Sequence, residues 1–119
     1  MKLRIFFILC ALICPAMPAM AHAFLEHASP GAGAMQATAP KEIDLEFSEA
    51  LEPSFSGMDV TDAAGRSMEA AHPVVSGASM RVSLRPLAAG AYHVAWHAVS
   101  KDTHRTDGTY GFTVKQAAN

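Results

Sequence analysis

Short runs in which polar and apolar residues alternate recur along most of this chain. Glu42-Ile43-Asp44-Leu45-Glu46-Phe47 is the clearest, and Met80-Arg81-Val82-Ser83-Leu84 repeats it before Pro86 ends the run. Tyr92-His93-Val94-Ala95-Trp96-His97 and Thr109-Tyr110-Gly111-Phe112-Thr113-Val114 follow the same period. A period of two sends successive side chains to opposite faces of an extended strand, so each run predicts a half-buried β-strand. Met58-Asp59-Val60-Thr61 adds another, leading into the turn Asp62-Ala63-Ala64-Gly65, and Phe24-Leu25 marks one near the start. No window shows a helical apolar period bounded by caps. The pattern predicts an all-β fold, a small antiparallel β-sandwich of about seven strands. Its core candidates are Leu45, Phe47, Val82, Leu84, Val94, Trp96 and Phe112.

The first residues obey a different rule. Lys2 and Arg4 precede an apolar run from Ile5 to Cys14, which gives way to Pro15 and small residues. The run spans about ten residues, whereas roughly 20 are needed to cross a bilayer, so it reads as a cleaved secretory signal rather than a membrane anchor. Two overlapping small-x-small triplets, Ala19-Met20-Ala21 and Ala21-His22-Ala23, offer cleavage after Ala21 or after Ala23. The first leaves His22 at the head of the processed chain and the second removes it. Either way one domain remains, extending to about Val114 with a short tail to Asn119.

Composition narrows the chemistry. The chain has two cysteines, Cys10 and Cys14, and both lie in the cleaved segment. The mature domain, residues 22–119, therefore has no disulfide and no thiolate ligand, and a metal site there must use histidine, methionine, carboxylate or amine. Without Lys2 and Arg4 the domain carries seven basic residues against eleven acidic ones. With no basic block, neither nucleic acid nor membrane insertion after cleavage is expected. All six histidines, His22, His27, His72, His93, His97 and His104, lie in the mature part.

Two of them stand where a metal could be held. In "VSKDTHRTDG", Val99 to Gly108, a loop is expected between the Trp96 strand and the last one, and Asp102 and His104 lie two apart in it. That spacing lets carboxylate and imidazole face the same way. The same residues also suit a plain turn in which Asp102 accepts backbone N–H bonds. A processed chain beginning at His22 would add its free amine and ring nitrogen as a chelate, a donor set suited to Cu(II). Spacing alone does not bring the two segments together. His93 and His97 alternate with core candidates and read as surface residues, and His27 sits by the first strand.

Four segments then make the chain recognisable: "HAFLEHASPGAG" from His22, "IDLEFSEALEPSFSG" from Ile43, "LAAGAYHVAWHAVSKDTH" from Leu87, and "GTYGFTV" from Gly108. In this order they resemble the CopC family of periplasmic copper-binding proteins over nearly the whole mature chain. The resemblance implies a Greek-key β-sandwich of cupredoxin/immunoglobulin-like layout and one Cu(II) per chain, held by the amine and ring of His22 with Asp102 and His104. Glu49, in "FSE", matches a family position close to the copper and is carried as an auxiliary residue. The resemblance also implies a monomeric periplasmic protein of copper homeostasis or resistance, with a CopD-type inner-membrane copper transporter as partner. It decides the cleavage site too, because only a cut after Ala21 keeps His22.

Some family members hold Cu(I) in a methionine-rich loop. Here the matching region offers only Met58, Met68 and His72, with Met80 further on. That spacing is sparse beside a dense thioether cluster, so no Cu(I) site is expected. Two functions compete with copper carriage. One is a copper oxidoreductase using the same N-terminal histidine chelate, which would need an open coordination position and a broad substrate face. The other is a metal-free sandwich serving as an interaction module. The expectation is a binding protein and not an enzyme.

Overall fold

The alternating runs pair into eight strands arranged as two four-stranded sheets. The computed structural model describes residues 22–118; the expected signal segment with Cys10 and Cys14 lies outside them. The strands are β1 (Leu25–Ser29), β2 (Met35–Gln36), β3 (Glu42–Phe47), β4 (Gly57–Asp62), β5 (Val74–Ser76), β6 (Ser79–Ser83), β7 (Gly90–Val99) and β8 (Arg105–Val114). One sheet has the order β1-β3-β6-β5 and the other β2-β8-β7-β4. The chain crosses between sheets after β1, β2, β3, β4 and β6, and only β5–β6 and β7–β8 follow one another within a sheet. The result is the β-sandwich that the sequence pattern predicted, in the Greek-key layout that the resemblance implied.

The period of two accounts for the core. Ile43, Leu45 and Phe47 of β3, and Met80 and Val82 of β6, face Met58 and Val60 of β4, Tyr92, Val94 and Ala98 of β7, and Phe112 and Val114 of β8. Each fully buried aliphatic or aromatic side chain contributes about 1.5–3 kcal/mol, so this two-layer interior dominates the stability. Six of the seven expected core residues are buried. Trp96 is half-buried at the rim, its ring edge-on to Phe47 with centroids 5.2 Å apart at 70°.

Three further features depart from expectation. β2 and β5 were not visible in the sequence because two or three residues carry no readable period. β2 also runs parallel to β8, in an otherwise antiparallel pair of sheets. The expected loop from Val99 to Gly108 is half strand: Val99 pairs with Arg105, leaving Ser100 to His104 between β7 and β8. The Asp62 turn is present. Asp62 Oδ1 accepts the N–H groups of Ala64 and Arg66, both at 2.9 Å, and Gly65 takes the left-handed φ of +78° that the turn requires.

At the rim, Gly108 lies directly under Trp96. A Cβ at Gly108 would stand 2.6 Å from Cζ2 of that ring, and Phe47 blocks the ring from swinging aside. Gly108→Ala should therefore destabilise the domain by about 1–3 kcal/mol, the usual cost of overpacking, read as a lowered denaturant midpoint at unchanged slope. An unchanged midpoint would show that the ring moves freely.

This topology gathers four chain segments at one end. β1 begins opposite the end of β3, with Leu25 paired to Phe47. β7 ends and β8 begins there as well. The connection after β3 lies against them: Leu51 bridges to Ser100, and Glu52 N–H donates to the Val99 carbonyl at 2.7 Å.

Candidate metal centre

The connection between β7 and β8 is short and closed on itself. Ser100 N–H donates to the His104 carbonyl at 3.0 Å, and Thr103 N–H donates back to the Ser100 carbonyl at 2.9 Å. Thr103 accepts a left-handed φ of +72° to make the turn. Ser100 is fully buried beneath it, and its hydroxyl donates to Oδ1 of Asp102. Asp102 and His104 consequently project from a fixed platform and are close to half exposed, at 41% and 47% of their side-chain surface.

Their side chains meet. Nδ1 of His104 lies 3.3 Å from Oδ2 of Asp102. The Ser100 hydroxyl, and after it the His104 ring, hold the Asp102 carboxyl below the ordinary aspartate range against the opposing effect of partial burial. Asp102 thus stays an anion over a wide pH span. When Nδ1 carries the proton and donates it to this carboxylate, Nε2 of His104 keeps a free lone pair.

His22 arrives from the other end of the chain. Its ring centroid is 4.7 Å from that of His104, at an interplanar angle of 60°. It also rests edge-on against the exposed ring of Phe24, with centroids 5.9 Å apart. The segment carrying it is tied to both sheets. Phe24 N–H donates to the Ser48 hydroxyl at 2.8 Å, and that oxygen lies 3.2 Å from the His22 carbonyl, to which it donates. Ser48 N–H donates to the Phe24 carbonyl at 2.8 Å. On the opposite sheet, the Thr106 hydroxyl donates to the Ala23 carbonyl at 2.6 Å, and Ala23 itself is fully buried.

The donor set tests well for a borderline divalent ion. Two imidazoles and a charged carboxylate lie side by side, with no thiolate or ammonium among them. Among the described residues, no three such side chains already converge as a closed cage. His104 Nδ1 is engaged with Asp102, and the two imidazole rings meet edge to face.

None of the other sequence candidates shares a hydrogen bond, ion pair or ring contact with this cluster among the described residues. Glu49 follows Ser48 and is half-buried, and no hydrogen bond or ion pair joins it to His22, Asp102 or His104 among the described residues. Met58 is a core residue, 3% exposed, Met68 packs partly against the core, and His72 is exposed. Glu69, between them, has both oxygens engaged, by Val60 N–H and by the Ser67 hydroxyl. His93 is exposed, and the His97 ring lies over Gly57. Ser48, Ser100 and Thr106 escaped sequence reasoning. Ser100 had a local signal, a serine two residues before a turn aspartate, but Thr106 meets a partner 83 residues away.

In class, then, this is a small two-sheet β-sandwich with a histidine–carboxylate cluster built at one end by its N-terminal segment and its β7–β8 turn. Comparison with known proteins gives the family. The CopC domain profile matches residues 25–115, and the chain belongs to that family. The Copper resistance protein C of Escherichia coli is 41% identical over 110 residues, covering 84% of this chain and 86% of that protein. The crystal structure of CopC from Methylosinus trichosporium OB3b superposes with a TM-score of 0.74 at 31% identity, covering 82% of this chain and 98% of that one. The Copper transport protein CutJ of Bacillus subtilis (strain 168) is 29% identical over 101 residues, but they make up only 19% of its length.

Proposed function

We propose that this protein is a periplasmic Cu(II)-binding protein of copper resistance and homeostasis, holding one Cu(II) per chain. The observation that carries the reading is the approach of the His22 and His104 rings to 4.7 Å, with the Asp102 carboxylate already on His104. The topology brings these two segments to one end of the sandwich, and the side chains that come together there at the surface are two imidazoles and a carboxylate, a metal-ligating set. His22, Asp102 and His104 are the proposed ligands, joined by the amine that cleavage after Ala21 would free on His22. Glu49 is assigned an auxiliary place near the ion. Family membership and the name of the Escherichia coli relative support copper as the cargo.

The ligand set favours holding over turnover: four protein donors fill the plane that Cu(II) prefers and leave no strong inner position for a substrate. Release then needs a partner. In CutJ a stretch similar to this chain is about a fifth of a protein called a copper transport protein. That arrangement supports delivery from this domain, as a separate monomer, to a CopD-type membrane transporter. Cu(I) carriage is not part of the proposal, since Met58 is committed to the core.

Titrating the protein that begins at His22 with Cu(II) against a competing chelator should show one equivalent bound tightly. Binding no stronger than that of an unrelated histidine-containing surface would overturn the reading.

A further inference from the structure

We propose that Thr106 and Ser48 are positioning residues that set where His22 stands and thereby tune how firmly copper is held. This inference rests on the Cu(II) reading above. Neither hydroxyl touches the proposed ligands' donor atoms. Both act on the backbone of the segment that carries His22, and they do so from opposite sheets: Ser48 from the connection after β3, Thr106 from the inner face of β8.

The physical case lies in what else could hold that segment. His22 and Phe24 lie outside the strands, and β1 pairing begins only at Leu25. One apolar anchor reaches beyond β1, the fully buried methyl of Ala23, and a methyl group fixes depth but not rotation. Direction comes from hydrogen bonds. The Ala23 carbonyl is half of one such bond, and with Thr106 removed it is left without that partner in a partly buried place. The Ser48 hydroxyl accepts from Phe24 N–H and donates to the His22 carbonyl, so one oxygen spans the residues on both sides of Ala23. Together the two side chains fix the peptide planes on either side of Ala23. The His22 ring and amine can then reach one point over His104 without a search. A ligand held in its bound position before the ion arrives loses less freedom on binding.

Thr106→Val keeps the shape of the side chain and deletes the hydroxyl. In the chain beginning at His22, it should weaken Cu(II) binding about tenfold, within the usual range for residues that orient a ligand. Ser48→Ala should act in the same direction. Thr106→Ser, which restores the hydroxyl, should bind as the parent does. The electron paramagnetic resonance spectrum of bound Cu(II) should change in the valine variant and return in the serine variant. A loss of fold alone would not behave this way. To separate the two, Thr106→Val is repeated in a His22→Ala background whose chain begins at Pro18, so that residue 22 offers neither ring nor free amine, and there it should no longer alter copper affinity. If Thr106→Val and Ser48→Ala bind copper with the parent's affinity and spectrum, the positioning role is wrong while the copper site stands. An equal loss in the His22→Ala background would also overturn it. A parent protein that binds no Cu(II) would sink the copper reading itself.

Discussion

Replacing His104 with alanine should cost the protein at least about 100-fold in Cu(II) affinity while leaving its thermal midpoint almost where it was. Residues that merely orient a metal ligand typically contribute 10- to 100-fold, so loss of a ligand should reach or exceed the top of that range. Stability is a separate matter because of how the turn is built. The contacts that close it run through the His104 carbonyl, which accepts from Ser100 N–H, and through the Ser100 hydroxyl on Asp102. None of these needs the imidazole. The side chain is about half exposed, with the Asp102 carboxylate and the His22 ring as its polar and ring partners. Surface changes of this kind usually shift stability by less than about 0.5 kcal/mol. Chelator competition and thermal unfolding on the same sample check both halves. Unchanged copper affinity would remove His104 from the site. A collapsed midpoint would mean that the ring braces the turn.

The sandwich was legible because its core strands are long enough to show a period. Glu42–Phe47, Met80–Leu84 and the two strands around Trp96 and Phe112 each display alternation, and their buried faces are the ones it predicts. β5 was silent because three residues cannot show a pattern, and β2 because its partner is a parallel strand nearly 80 residues away. The candidate site was half legible. Asp102 and His104 are neighbours in sequence, and an expectation that they face one another needed only strand geometry. That His22 would meet them depends on the start of β1 and the β7–β8 turn sharing one end of the sandwich, a property of topology that no local pattern encodes. The resemblance bridged that gap. It could not supply Ser48 and Thr106, whose parts are defined by single hydrogen bonds between distant segments.

A chain begun at Pro18, with Pro18 to Ala21 still joined to His22, should bind Cu(II) at least about 100-fold more weakly than one begun at His22. In the longer chain the nitrogen of His22 is an amide, which has no lone pair to offer, while the imidazole remains. One donor of the proposed four is lost and the chelate with it, a deficit at least as large as the loss of an orienting residue. The fold should survive, because Ala23 keeps its buried place and its bond from Thr106. A chain begun at Phe24 is the contrasting case: it loses the ligand and also the Ala23 anchor, so both affinity and stability should fall. Acidity separates amine from ring. A chain-terminal amine ordinarily has a pKa of about 7.7–8.0, so moving from pH 7.5 to 5.5 leaves roughly 60-fold less of it neutral and ready to bind. The chain begun at His22 should lose affinity with falling pH by that factor more than the chain begun at Pro18, a difference of about one proton released per copper bound. Parallel pH profiles would show that the amine takes no part. In the secreted protein, an intact mass corresponding to His22 as first residue is required, since one starting at Phe24 would leave only Asp102 and His104 at the site. Export processing would then be the step that completes the metal centre, and copper bound before cleavage would be held by the weaker, incomplete set.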